Sequence, residues 1–134
     1  MEERAIKCFK GMKGDTYITI LEKLKAYDYW PINYKGEVIT VEFDEGFILK
    51  GSVFSDKKYI PKGIKEFVKG FSSDDQRLIL DHDRVVVVLS QFFEPTFSSD
   101  DFFQTLDIFL SEIASWRQFF DGLSRQDLVF FPKK

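Results

Sequence analysis

Apolar and polar positions along the chain alternate between a helical period and a strand period. Tyr17, Ile20, Leu21, Leu24 and Tyr27 form one stripe at 3.6 spacing, which predicts a helix over 16–27 with Asp15 as its N-cap. Trp30-Pro31 forbids continuation, because a residue before proline is driven to extended geometry. A β section follows. A short strand is expected over 29–34, Gly36 marks a turn, and 37–43 is rich in β-branched residues. Asp44-Glu45-Gly46 reads as a hairpin loop, and 47–54 as the returning strand with a bulge at Gly51. A second helix fits 61–70, with Pro61 at its first position, Ile64, Phe67, Val68 and Phe71 on one face, and Gly70 as its stop.

Residues 77–80 and 84–89 then read as a hairpin around Asp81-His82-Asp83. The unbroken run Val85 to Val88 predicts a strand covered on both faces, the expected centre of the sheet. Next, Ser98 caps a helix whose first turn is acidic, and Phe97 and Phe102 are spaced as a hydrophobic staple. That helix carries Phe102, Leu106, Phe109, Ile113, Trp116 and Phe120 in one stripe, which Phe103 and Leu110 widen beyond a single face. Such width points to contact with a second chain or a bound segment. The opening Glu2 to Phe9 reads as a helix turn interrupted by Gly11 and Gly14, and Leu128 to Pro132 as an apolar tail after Gly122.

These elements predict an α+β fold of order α-β-β-β-α-β-β-α, an antiparallel sheet of about five strands packed with helices. No Pro-, Ser- or Gly-rich linker divides the chain, so residues 1–134 are expected to form one domain, with its core over 15–121 and a tail over 122–134.

Composition sharpens this picture. Sixteen Phe, five Tyr and two Trp give more aromatic bulk than one small core easily hides, and such a surplus marks a binding groove or subunit interface. The net charge of −3 argues against a nucleic-acid partner, which requires clustered positive charge. Charge is also uneven: residues 50–70 sum to +4 and residues 71–112 to −7, a solvated face or a means of meeting a charged partner. No apolar run reaches the ~18 residues of a membrane span, and no secretory signal is evident, so a cytoplasmic protein with no membrane partner is expected. The single cysteine, Cys8, excludes an internal disulfide.

Candidate chemistry is sparse. His82, between Asp81 and Asp83, lies on a tight turn whose adjacent residues do not converge on one ion. The carboxylate pairs Asp44/Glu45, Asp74/Asp75 and Asp100/Asp101 fall in turns or caps, not in an apolar cleft that would raise one pKa. Phosphate-binding glycine loops, zinc-helix motifs and nucleophile elbows are missing. No catalytic, metal or cofactor site is therefore expected. Phe-Ser-Ser-Asp-Asp occurs at 71–75 and 97–101, which reads as a turn or cap composition used twice.

The element order resembles the type III secretion chaperone-like fold, which includes the secretion chaperones and the YbjN family. Leu21-Glu22-Lys23-Leu24 through Tyr27 with Val38-Ile39-Thr40-Val41 looks like the opening of a YbjN-type domain. Leu78-Ile79-Leu80-Asp81 with Val85 to Val88 looks like its second sheet section, and Phe97 to Asp101 with Leu106, Phe109, Leu110 and Trp116 like its closing helix. The resemblance implies a small, acidic, non-enzymatic cytoplasmic protein, a homodimer that holds an extended partner segment on apolar patches. Its YbjN branch implies a regulator acting by protein contact without a secreted client. A small-ligand binder is the remaining alternative. The apolar positions least needed by one core face, and so the candidate protein contacts, are Phe47, Phe54, Phe92, Phe103 and Leu110.

Overall fold

A computed structural model describes the backbone of residues 13–96 and 98–130, and the side chains of 17–96 and 98–125. The helix turn over Glu2 to Phe9, Cys8, Phe97 of the staple and Phe131-Pro132 lie outside the described residues. The elements run α1 (Lys13–Ala26), β1 (Tyr29–Tyr34), β2 (Glu37–Phe43), β3 (Phe47–Ser55), α2 (Lys62–Gly70), β4 (Gln76–Asp81), β5 (Val86–Phe93) and α3 (Ser99–Phe130). The fold is α+β, with the expected order of elements and a five-stranded antiparallel sheet.

The strands lie in the order β1-β2-β3-β5-β4. The first three form a meander joined by tight turns. At the β1–β2 turn Lys35 and Gly36 both have positive φ (50° and 87°), the backbone that a two-residue hairpin of right-handed twist demands. β5 then pairs with β3 and returns β4 to the edge. The centre of the sheet is accordingly β3, not the valine-rich β5. β5 is interior, with Val87 and Leu89 fully buried beneath the helices; on the opposite face Val86 and Ser90 are buried as well, and Val88 between them is half-buried.

One face of the sheet carries Trp30, Ile32, Ile39, Val41, Phe47, Leu49, Val87 and Leu89 into the core. The helices pack on that face. α3 crosses β3, α1 lies beside α3 towards β1, and α2 lies beside α3 towards β4. Gly51 permits the crossing, since a Cβ there would stand 2.7 Å from Ile113 Cδ1. The expected bulge is not at Gly51: the register shifts between Ser52 and Phe54. Val53 is the added residue and is buried at 1% exposure.

The helix ends also differ in detail from expectation. α1 already includes Lys13, so Asp15 lies inside its first turn and is not its N-cap. Pro61 precedes α2 as the N-cap with extended ψ (146°), one residue before the position expected for it. At α3, Ser98 Oγ accepts the Asp101 N–H at 3.2 Å, the predicted cap. The first Phe-Ser-Ser-Asp-Asp copy forms no helix start, but the loop from α2 into β4, where the Ser73 hydroxyl donates to Asp75. α3 continues through Gly122 to Phe130, making 32 residues, about 48 Å at 1.5 Å per residue. Leu128 to Phe130 thus belong to the helix and are not a separate tail.

Two side-chain ties fix α3 across the meander. Asp107 accepts from Tyr34 Oη at 2.8 Å and from Lys35 Nζ at 2.9 Å. Arg117 grips both Glu37 carboxylate oxygens at 2.6 and 2.9 Å and donates to the Ser52 carbonyl. Among the described residues every buried side-chain polar atom has a hydrogen-bond partner. None of the helices is long and apolar enough to cross a membrane.

Candidate functional site

The five candidate contact residues do not form one patch. Phe47 and Phe103 are core residues, at 1% and 4% exposure. The extra width that Phe103 gives α3 has an internal cause: α1 and α2 flank α3 while the sheet lies beneath it, so more than one stripe is covered. Phe103 packs its ring against Tyr34 at 5.7 Å and against Phe102 at 5.8 Å. Phe54 and Leu110 are half-buried against the same core. Phe92 is half-buried at the end of β5, where its ring lies against Gly46.

Aromatic side chains gather instead where α2 meets the C-terminal half of α3. On α2 the face of Ile64, Phe67 and Val68 turns inward. The helix ends at Gly70, and Phe71 follows in extended geometry (φ −74°, ψ 134°). That turn of the backbone lays the Phe71 ring edge-on to Trp116 at 5.1 Å. On α3, Trp116, Phe119 and Phe120 stand three and four residues apart and so share a side. Phe67 sits among them, with centroid distances of 5.8 Å to Trp116, 4.7 Å to Phe119 and 5.9 Å to Phe120.

The cluster is graded from core to solvent. Phe120 is fully buried and reaches Phe54 on β3 at 6.4 Å. Phe67, Phe71 and Trp116 are half-buried, while Phe119 at the outer end is 43% exposed. The opposite side of α2 carries Lys62, Lys65 and Lys69, none of them in an ion pair among the described residues. On the other flank of α3 an open groove of about 540 Å³ is lined by Ser52, Val53, Phe54, Ser55, Arg117, Gln118 and Asp121. Its guanidinium is already engaged by Glu37.

This arrangement suits apolar recognition better than proton transfer. Three groups have displaced pKa values, each for a structural reason. Burial, then the bond to Asp107, raises Tyr34; the bond to Asp107 raises Lys35; and the backbone N–H groups of Lys58 and Tyr59 lower Asp56. None of the three lines the groove. His82 is exposed at its turn, and no group of three or more metal-ligating side chains occurs among the described residues.

The sequence did carry a signal for the cluster: two aromatics at the end of a short helix and three within five residues of a long one. Phe119 lies off the main stripe of α3, so the helical period does not mark it. No family model, curated protein or solved structure matches this chain.

Proposed function

We propose that this chain is a non-enzymatic protein-binding module that holds an apolar segment of a partner protein on the aromatic surface between α2 and α3. The observation carrying this reading is the incomplete cover of the Phe67–Phe71–Trp116–Phe119 cluster. Aromatic rings in mutual contact but open on one side are preorganised. They present large apolar area at little entropic cost, which is the character of interface hot spots. The element order agrees with the resemblance to type III secretion chaperone-like proteins, in which contact with a protein segment is the activity. A delivered client and a regulated intracellular partner would use the same surface, and the partner's identity separates the two.

The test is affinity capture of the tagged chain from extracts of its own host, with stoichiometry read by mass spectrometry, alongside Phe119→Glu. Phe119 is exposed, so the variant should keep the wild-type circular dichroism spectrum and melting temperature. A single stoichiometric partner bound at least about tenfold more weakly by the variant is expected. Absence of any stoichiometric partner, or equal capture by the variant, would overturn the reading.

A further inference from the structure

A basic surface lies apart from the aromatic one. Lys57, Lys58, Lys62, Lys65 and Lys69 fall within thirteen residues, and none of the five is in an ion pair among the described residues. Lys50, just before them, differs: it is on the sheet and paired with Glu42. Lys62, Lys65 and Lys69 recur at three and four residues along α2, so they share one side of the helix over about 10 Å. The other side is occupied, since Ile64 is fully buried and Phe67 and Val68 pack against the core. Lys57 and Lys58 stand exposed in the loop leading into α2. Asp56 shapes that loop by accepting the N–H groups of Lys58 and Tyr59 at 3.1 and 3.3 Å. Tyr59, 62% exposed, follows the two lysines towards the helix. Asp56 and Glu66 are the only acids over residues 56–69.

The chain has 22 acidic residues, yet none of those described is placed to pair with these lysines. We infer that this face of α2 and its leading loop rest on the surface of an anionic lipid bilayer. Charge complementarity calls for an anion, and three features favour a bilayer over a nucleic acid. The cations are all lysines, point charges that suit mobile headgroups. No arginine, whose fork reads phosphate or guanine in bidentate fashion, stands among them over residues 56–69. The helical lysines form one row on the outer side of α2, which a plane touches all at once. Tyr59 offers an exposed amphipathic ring of the kind found at headgroup level.

None of the described helices is long and apolar enough to cross a membrane, and none needs to be. The expectation of no membrane partner rested on the lack of a spanning run and does not reach attachment to a surface. Each lysine near an anionic surface strengthens attachment about fivefold. Because the core already occupies the apolar side of α2, the helix rests on the headgroups and does not insert. Attachment is therefore electrostatic, and salt dissolves it. The aromatic cluster on the inward side of α2 takes no part, so an attached chain keeps that surface for a partner segment.

Cosedimentation of the full chain with large vesicles, at about 50 and about 500 mM salt, tests this. Vesicles of about 30% phosphatidylserine in phosphatidylcholine should carry the chain down at the lower salt and release it at the higher. Vesicles of phosphatidylcholine alone should not bind it. The double variant Lys62→Glu, Lys69→Glu should partition about 25-fold more weakly or worse, with an unchanged circular dichroism spectrum, because both side chains are exposed. The double variant Lys25→Glu, Arg84→Glu makes an equal change of charge at exposed residues elsewhere and should stay within about threefold of the wild type. A wild type that ignores the anionic vesicles, or equal losses in the two double variants, would overturn the inference. So would attachment that survives the higher salt. A DNA duplex of about 20 base pairs bound more tightly than the vesicles at the same salt would overturn it too, and would give this face to nucleic acid.

Discussion

At the residue scale, the β2–β3 loop separates two roles usually given to one glycine. Glu45, not Gly46, holds the left-handed backbone, at φ 62°. Gly46 is glycine for want of space, because a Cβ there would press on the Phe92 ring and stand 2.6 Å from the Phe93 carbonyl oxygen. The two positions should respond oppositely. Glu45→Gly relieves backbone strain at an exposed site and should raise stability by about 0.5–1 kcal/mol. Gly46→Ala overpacks a site whose neighbour is partly main chain and should cost about 1–3 kcal/mol. Urea denaturation of both variants checks the contrast, and equal effects would contradict it. The sequence marked this loop as a turn, but a glycine there is ambiguous. Only the ring of Phe92, 46 residues further along the chain, decides between backbone freedom and crowding.

At the element scale, α3 organises the molecule, and its buried residues are felt throughout. Phe103→Ala should cost about 3–5 kcal/mol, the range for truncating a fully packed aromatic, and should lower the denaturation midpoint without altering its slope. An acid at this position would bury a carboxylate against Tyr34 and Phe102, so Phe103→Asp should unfold the chain rather than only disperse an assembly. The Tyr34–Asp107 bond adds a pH signature. Because the folded state holds Tyr34 above its ordinary value of 10.0, the unfolded chain loses that proton first. The associated stability is complete below 10.0 and declines as pH rises through the folded value. Tyr34→Phe should remove this part of the alkaline decline. Paired urea titrations between about pH 8 and pH 11 should show the gap between wild type and variant narrowing with pH, and a constant gap would refute the coupling.

Element types and order were legible because each segment states its own period: one apolar stripe on each of the three helices, β-branched runs on the strands, a serine cap before α3. Positions set by tertiary packing were less legible. α3 passes Gly122 because one glycine costs only about 1 kcal/mol in a helix and good helix formers surround it. The bulge falls at Val53, whose side chain joins the core, and no local residue type marks that position.

At the scale of the whole molecule, the surface is divided by function of form rather than by composition. The helix layer ends in the aromatic surface around Phe119. The opposite sheet face stays open, with Val38 at 60% exposure and the Lys50–Glu42 pair at 2.7 Å in its midst. Aromatic surplus alone implied an exposed patch but did not locate it, since Phe47 and Phe103 are as aromatic as Phe119 and wholly enclosed. Exposure is a property of the assembled layers, and no local pattern records it. The sheet order carries a consequence of a different kind, in time. β3 is the central strand, but its second neighbour, β5, is made only after α2 and β4. During synthesis at about 5–20 residues per second, the edge of β3 with Phe47, Leu49 and Val53 therefore waits roughly 2–8 s for its partner. Through that interval the nascent meander leaves one edge of β3 unpaired, and this exposure to aggregation falls before the ribosome has finished α3.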